Sequence, residues 1–360
     1  MKPLSLLLIN PGASYATLDV HTGYRDALRA QGHTVREYHL DQRIDDVGLY
    51  LKSVYRRKHL GEPPAALVLT KACADIIPQA LYHSVDGVVI VSGMYCHPDT
   101  LVLLRRAGVP TALLLTESPY DDAQQARIIP WADVVFTNER TSVPVLRQAN
   151  PHTHYLPHAH DPAKHRADPQ PGDAAVPAHD VLFIGSMFEE RANLLGAVDW
   201  GGIDFGLYGE CGILPSRHRL RKHIKGGVVA NAVAAALYRK ARIAINLYRT
   251  SRGFGVGVEH IDHAESLSPR MVELAACGAF TVSERRAEGD EVFGWMVPTF
   301  STAAELGERI RHYLDRPDER AALAARLPGC VADRTFAAQA EFVVSTLRAA
   351  WQGAGAIRSA

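Results

Sequence analysis

Runs of aliphatic and β-branched residues that alternate with helical patterns constrain this chain more than any other feature. Ser5–Asn10 reads as a strand that stops at Pro11-Gly12-Ala13-Ser14. Val20–Gln31 has a helical pattern closed by Gly32-His33, and Thr34–Tyr38 follows as a second strand. Gly87–Ser92 (GVVIVS), Pro110–Leu115 and Asp133–Thr137 read as further strands, with a helix over Asp99–Ala107 that Gly108 ends. Ala65–Leu81 is apolar but of ambiguous type. Strands that alternate with helices predict a parallel sheet covered on both faces. Ligands of such sheets bind beyond the carboxyl ends of the strands.

The pattern pauses at Ala167–Pro177 (ADPQPGDAAVP), where Pro, Asp, Gly and Ala without periodicity predict a linker. It then restarts. Val181–Gly185, Asp204–Tyr208, Arg242–Leu247 and Ala279–Val282 read as strands. Glu189–Leu195, Val228–Lys240, Pro269–Cys277, Thr302–Leu314, Asp318–Arg326 and Phe336–Trp351 read as helices. A chain of 360 residues has room for two such units. The expected fold is therefore α/β, with two Rossmann-like domains facing across a cleft. The expected boundaries are 1–165, a linker over 166–179, 180–335, and a last helical segment over 336–360 that crosses back to the first domain.

Composition removes several classes of function. Lys+Arg and Asp+Glu both number 39, so zero net charge gives no support for a general affinity for nucleic acid or anionic membrane. Cys73, Cys96, Cys211, Cys277 and Cys330 are dispersed and odd in number, which reads as reduced thiols rather than a disulfide framework or zinc site. The apolar run Leu4–Ile9 is too short for a signal h-region. No stretch reaches the ~20 apolar residues needed to span a bilayer. The expectation is a cytoplasmic protein with no membrane partner.

Asn246–Glu284 carries the most chemistry. A buried strand ends at Leu247, and a loop with Gly253, Gly255 and Gly257 follows. Ser268-Pro269-Arg270 then opens a helix, with Ser268 suited to the N-cap and Pro269 to the first helical position. The amides and dipole of that N-terminus favour an anion, and Arg270 adds a charge able to grip phosphate. Glu273 lies one turn on and shares the face of Arg270. A carboxylate suits sugar hydroxyls rather than phosphate, as acidic residues do for ribose in dinucleotide sites. Cation and amides for diphosphate, then carboxylate for ribose, describe a nucleotide-sugar pocket. An ordinary capped helix with a surface Arg–Glu pair accounts for the bare spacing equally well.

The segment resembles the donor-site motif S-x-x-P-R-x-x-E-x-x-A-C-G of GT-B glycosyltransferases, in particular their CgeB-like branch. Ser266, Pro269, Arg270, Glu273, Ala276, Cys277 and Gly278 match as they stand. Glu265 and Glu273 reproduce the E-x7-E spacing of retaining enzymes of this fold, although the preceding loop lacks the family's E-G-F-G-L-P. The resemblance implies that Glu273 binds the nucleotide ribose and that Glu265 faces the sugar. Arg270 and Glu273 also resemble the grip of phage DNA-base glucosyltransferases. Val181–Ser186 with Glu190-Arg191, and Gly226–Ala232 with Leu237-Tyr238 and Ile243–Leu247, resemble the rest of the family's C-terminal domain. There the backbone at Gly226 to Val228 sits against the base. Val135–Asn138, Tyr155–Ala159 and Ser118-Pro119-Tyr120-Asp121 resemble parts of the acceptor-side domain.

Other constellations carry less. His152, His154, His158, His160 and His165 lie close in sequence without a nearby Cys, and read as hydrogen-bonded or exposed histidines rather than a zinc site. There is no D-x-D pair for a metal-bound diphosphate, no P-loop, no dinucleotide G-x-G-x-x-G and no G-x-S-x-G elbow. No metal and no cofactor is expected. Arg217–Lys225 (RHRLRKHIK) is basic, and reads as a solvated or phosphate-facing segment.

The reading is a metal-independent hexosyl- or pentosyltransferase that uses a nucleotide diphosphate sugar, UDP-linked by expectation. Arg270, the Ser268–Arg270 amides, Ser266, Gly185 and Ser186 are expected at the donor phosphates, and Arg249 or Arg252 at the leaving group. Gly12, Ser14, Tyr120 and His97 are expected on the acceptor side. Glu117, Asp121 and His21 are the candidates for a base that deprotonates the acceptor in an inverting enzyme. A retaining enzyme, favoured by the Glu pair, needs no such base. The acceptor stays open. A hydroxymethylated DNA base is one alternative, and a same-fold epimerase or a non-catalytic nucleotide- or sugar-binding protein are others.

Overall fold

The computed structural model describes residues 2–12, 17–253 and 257–358, with side chains described to residue 351. It divides into two compact units, one of residues 1–157 with 336–360, the other of residues 158–335.

The first unit is built on a parallel sheet of β1 (Ser5–Ile9), β2 (Thr34–Tyr38), β3 (Gly87–Val91), β4 (Thr111–Leu115), β5 (Val134–Thr137) and β6 (Thr153–Tyr155). The spatial order is β2-β1-β3-β4-β5-β6. Successive side chains of a strand point to opposite faces, so a strand buried on both faces must be apolar throughout. In β1, Leu7 and Ile9 enter one core with Val88, Ile90 and Leu113, while Leu6 and Leu8 enter the other with Val89, Val91 and Phe136.

The helix Phe336–Arg358 belongs to this second core. Val343, Val344 and Leu347 are buried there beside Leu6 and Leu8. At about 1.5–3 kcal/mol for each large apolar side chain removed from water, that contact makes the helix integral to the unit. The Tyr24 hydroxyl donates to Gln339 Oε1 (2.7 Å), which fixes the helix register.

Ala65–Tyr82, ambiguous in the sequence, forms the helices Ala65–Cys73 and Ile76–Tyr82. By length and composition only, these 18 residues resemble a membrane span, but the chain breaks them into two short helices. Here it turns Ala72, Cys73, Ile76 and Ala80 into the unit's core. An 18-residue helix over Leu40–Arg57 was not expected at all.

The second unit repeats the architecture with β7 (Val181–Ile184), β8 (Phe205–Tyr208), β9 (Ile224–Gly226), β10 (Ile243–Asn246), β11 (Thr281–Glu284) and β12 (Thr299–Phe300). The order β12-β11-β10-β7-β8-β9 places β8 and β9 on one side of β7 and β10 to β12 on the other. The connections therefore change direction between β7 and β10, which pair in parallel through Ile243–Val181 and Ala244–Leu182.

Residues 166–179, expected as a linker, are instead folded onto this unit. A 3₁₀ turn over Pro171–Ala175 carries Asp173, whose carboxylate takes Arg239 Nη2 at 2.6 Å and Nε at 2.9 Å. Lys240 Nζ also donates to the Val176 carbonyl (2.8 Å). Chain composition there reported the turn and not its anchoring. The chain passes between units at Pro157–His158 and Thr335–Phe336.

Candidate functional site

In an open parallel sheet, the point where the strand order reverses leaves a crevice at the carboxyl ends. In the second unit that point is flanked by the ends of β7 and β10. The carbonyls there have left the ladder and need donors. Two arginines supply them. Arg270 Nη1 donates to the Leu247 carbonyl (3.0 Å) and its Nε to the Ile184 carbonyl. Arg191, buried to 6% exposure, donates from Nη2 to the same Leu247 carbonyl (3.0 Å) and from Nη1 to the Ser186 carbonyl (2.7 Å). The Phe183 ring lies under both guanidinium groups, its centroid 5.0 Å from Arg270 and 5.8 Å from Arg191.

This changes the expected role of Arg270. Two of its three nitrogens hold backbone carbonyls, so a two-armed grip on phosphate is not available without breaking those bonds. The remaining arm, Nη2, lies against Gly185. Desolvation lowers its pKa, with Tyr238 and Glu273 opposing that shift.

Arg270 rides on the helix Pro269–Ala276. Ser268 caps it with extended backbone (φ −78°, ψ 158°) and accepts from the Met271 amide. The same hydroxyl donates to Asn246 Oδ1 (3.1 Å), which ties the helix N-terminus to the end of β10. Glu273 sits one turn in, its side chain 14% exposed, with Oε1 4.0 Å from His165 Nε2. Glu265 is half-buried, and its carbonyl accepts the Glu288 amide (3.1 Å). Ser266 is buried beside it.

The loop after β10 is pinned by carboxylates to which the sequence attached no role. Glu190 accepts from the amides of Thr250 and Ser251 (both 3.1 Å) and from Ser251 Oγ (2.6 Å). Burial alone would raise its pKa, but the Ser251 hydroxyl and these amides hold it below the usual carboxylate value. Glu284 accepts from the Tyr248 amide (2.6 Å), and its burial raises its pKa. Arg249 stacks over Phe188 at 5.3 Å and donates to the Ser251 carbonyl (2.7 Å). Arg252 pairs with Glu259 (2.8 Å), so its charge is already matched. Gly253 belongs to the described residues of this loop and Gly255 lies outside them.

Gly185 and Ser186 follow β7 at the same edge. Gly226 ends β9 against the Tyr208 ring, and Val228 is 76% exposed just beyond it. The basic run is structural in part: Arg219 donates to the Val198 carbonyl (3.1 Å) and Arg221 to the Pro215 carbonyl (2.8 Å).

The acceptor-side candidates lie in the first unit. Gly12 (φ +83°) packs on Tyr95, where a Cβ would meet the ring at 2.8 Å. Ser14 lies outside the described residues. His97 caps the helix Pro98–Arg106 by accepting the Asp99 amide at 3.3 Å. Glu117, Tyr120 and Asp121 are half-buried in the loop after β4, where the Glu117 carbonyl accepts the Asp121 amide (3.1 Å). His21 is 4% exposed, and burial lowers its pKa to about 4. Its Nε2 lacks a hydrogen-bond partner and lies 4.0 Å from Glu37. Among the described residues, no three His, Cys, Asp or Glu side chains converge as metal ligands.

Residues 190–343 match the model of a family described as glycosyl transferase-like. The chain is 25% identical to the spore protein CgeB of Bacillus subtilis over 253 residues, which is 67% of this chain and 75% of that one. The chain is similar to CgeB-like glycosyltransferases, and its fold is GT-B. Solved structures agree on that fold at low identity. HepE of Anabaena, in complex with UDP-glucose, superposes with a TM-score of 0.61 at 16% identity, covering 96% of this chain and 100% of its own. Sucrose-phosphate synthase of Thermosynechococcus elongatus gives 0.66 at 13% identity, covering 97% and 100%.

The family match begins at Glu190, the residue that pins the loop after β10. Arg191, Glu190 and Glu284 thus frame the edge at which Ser268, Arg270 and Glu273 converge. Their sequence signal was only the pair Glu190-Arg191 after a strand, with no role attached.

Proposed function

We propose that the chain transfers a sugar from a UDP-sugar to a hydroxyl acceptor without a metal ion, and that the second unit binds the donor. The observation that carries this is the placement of Arg270. It bridges the carboxyl ends of β7 and β10 at the reversal of strand order, on a helix whose first turn is Ser268-capped. Beside Gly185 and Ser186, the diphosphate takes the Nη2 arm of Arg270 and the Arg270 amide, because Pro269 has no N–H and the Met271 amide is held by Ser268. Glu273 takes the ribose hydroxyls, and the exposed backbone from Gly226 to Val228 takes the base. Arg249 stabilises the leaving diphosphate, because Arg252 is occupied by Glu259. Glu265 faces the sugar. The UDP complex of the structurally similar HepE supports the choice of nucleotide.

The test is calorimetric titration with UDP, GDP, ADP and TDP in EDTA. Saturable binding of UDP that Glu273→Ala and Arg270→Ala both abolish supports the reading. Unchanged UDP affinity in both variants removes its core.

A further inference from the structure

His165, a member of the sequence's histidine cluster, approaches the proposed donor site at Glu273. It lies in the turn Asp161–His165, just after the chain enters the second unit. The turn is rigid. The Asp161 carbonyl accepts the His165 amide (2.8 Å), and Asp161 Oδ1 accepts the Ala163 amide (2.9 Å). On either side of His165, the carbonyls of Lys164 and Arg166 each accept from Arg239 Nη1 at 3.3 Å. Arg239 is itself locked by Asp173.

The ring's own contacts fix its protonation. The Asp161 amide donates to Nδ1 at 3.3 Å, so Nδ1 is an acceptor and a neutral ring carries its proton on Nε2. The residue is 2% exposed, and that burial lowers its pKa to about 4, so the ring is neutral near pH 7. Nε2 is buried without a hydrogen-bond partner. Native structures rarely leave such a donor unused. Glu273 Oε1 stands 4.0 Å away.

We propose that His165 is a positioning residue for Glu273: its Nε2–H closes on Oε1 when nucleotide binds and sets the carboxylate plane toward the ribose hydroxyls. The inference rests on the donor reading above, in which Glu273 takes the ribose. A carboxylate on a flexible side chain must have its last torsion fixed before it can meet a hydroxyl in good geometry. A neutral donor does this without neutralising the charge that the ribose needs. The other ionisable groups around the pair are His160, Asp161, Lys164 and Arg239 beside His165, and Tyr238, Arg270 and Cys277 beside Glu273.

The experiment compares UDP with 2′-deoxy-UDP by calorimetry on the wild type, His165→Phe, His165→Gln and Glu273→Gln. The wild type is expected to prefer UDP by about tenfold or more, the scale of one hydrogen bond to a charged group. His165→Phe is expected to lose most of that preference by weakening UDP while leaving 2′-deoxy-UDP unchanged. His165→Gln, whose amide reaches the place of Nε2, is expected to recover it. A preference retained in His165→Phe but lost in Glu273→Gln overturns the role of His165 and leaves the donor reading standing. A preference absent from the wild type, or untouched by Glu273→Gln, removes the ribose role of Glu273 and this inference with it. Imidazole nitrogen NMR of the wild type gives a reading independent of variant folding. The His165 Nε2–H signal should shift on addition of UDP and stay fixed in Glu273→Gln, and a signal that UDP does not move overturns the proposal.

Discussion

Gly185 makes room for Arg270: a Cβ at Gly185 would lie 2.1 Å from the guanidinium Nη2. The obstructed group is the far end of a flexible side chain, so Gly185→Ala is expected to fold, with backbone strain from a φ of +158°. Arg270 must then leave the carbonyls of Ile184 and Leu247. Nucleotide affinity is expected to fall by about tenfold or more, the worth of a charge-assisted hydrogen bond. Gly209 offers the contrast. A Cβ there meets the Gly185 backbone oxygen at 2.3 Å with φ at +121°, and neither backbone can yield. Gly209→Ala is expected to cost about 2–3 kcal/mol of stability, read from urea unfolding.

Asp173 and Arg239 form a forked pair whose side chains are 15% and 7% exposed. Removing one partner strands the other charge. Arg239→Ala is expected to lower stability by about 3 kcal/mol, and Asp173→Asn by less, because an amide still accepts a hydrogen bond. The measurement is urea unfolding with limited proteolysis at residues 166–179. Cleavage there in the variant, and protection in the wild type, shows that the pair holds the segment down.

Much of this fold was legible because its strands are buried on both faces. Leu6–Ile9 and Val88–Val91 are apolar at every position, a pattern that survives without tertiary context. Leu40–Arg57 was missed although Leu40, Ile44, Val47 and Leu51 carry a helical period, because Asp45, Asp46 and Gly48 interrupt the run. β9 and β12, of three and two residues, are too short to carry a period. At the site, Ser268 and Pro269 were readable because capping is local. The engagement of Arg270 with two strand ends was not, since it depends on which carbonyls the sheet leaves unpaired. Glu190, Arg191 and Glu284 act on partners dozens of residues away or on backbone atoms, which no spacing rule reports.

His21 and His165 give the stability a defined pH dependence. Burial lowers both from the usual histidine value of 6.5 to about 4. The unfolded chain therefore binds more protons than the folded one between those values. Their contribution is complete above about pH 6.5 and is lost as pH falls toward 4. Each is expected to remove about 2 kcal/mol between pH 7 and pH 5. Carboxylates held low, such as Asp173 and Glu190, act below this window. Urea unfolding across that range should show a falling midpoint, and His21→Phe should flatten the slope by one proton. An unchanged slope in the variant would place the titration elsewhere.

Gly23 and Phe336 set how the last helix docks in the first unit. A Cβ at Gly23 would lie 2.3 Å from the Phe336 ring, which also meets Tyr24 edge-on at a centroid distance of 5.4 Å. The ring is wedged against the helix backbone, and the bond from Tyr24 to Gln339 follows one turn later. Gly23→Ala gains helix propensity of about 1 kcal/mol but overpacks this contact by about 1–3 kcal/mol. The expected outcome is net destabilisation, with faster amide exchange in Phe336–Leu347. Restoring space with Phe336→Leu in the same chain should recover the loss, because the two substitutions share one contact and cannot be additive.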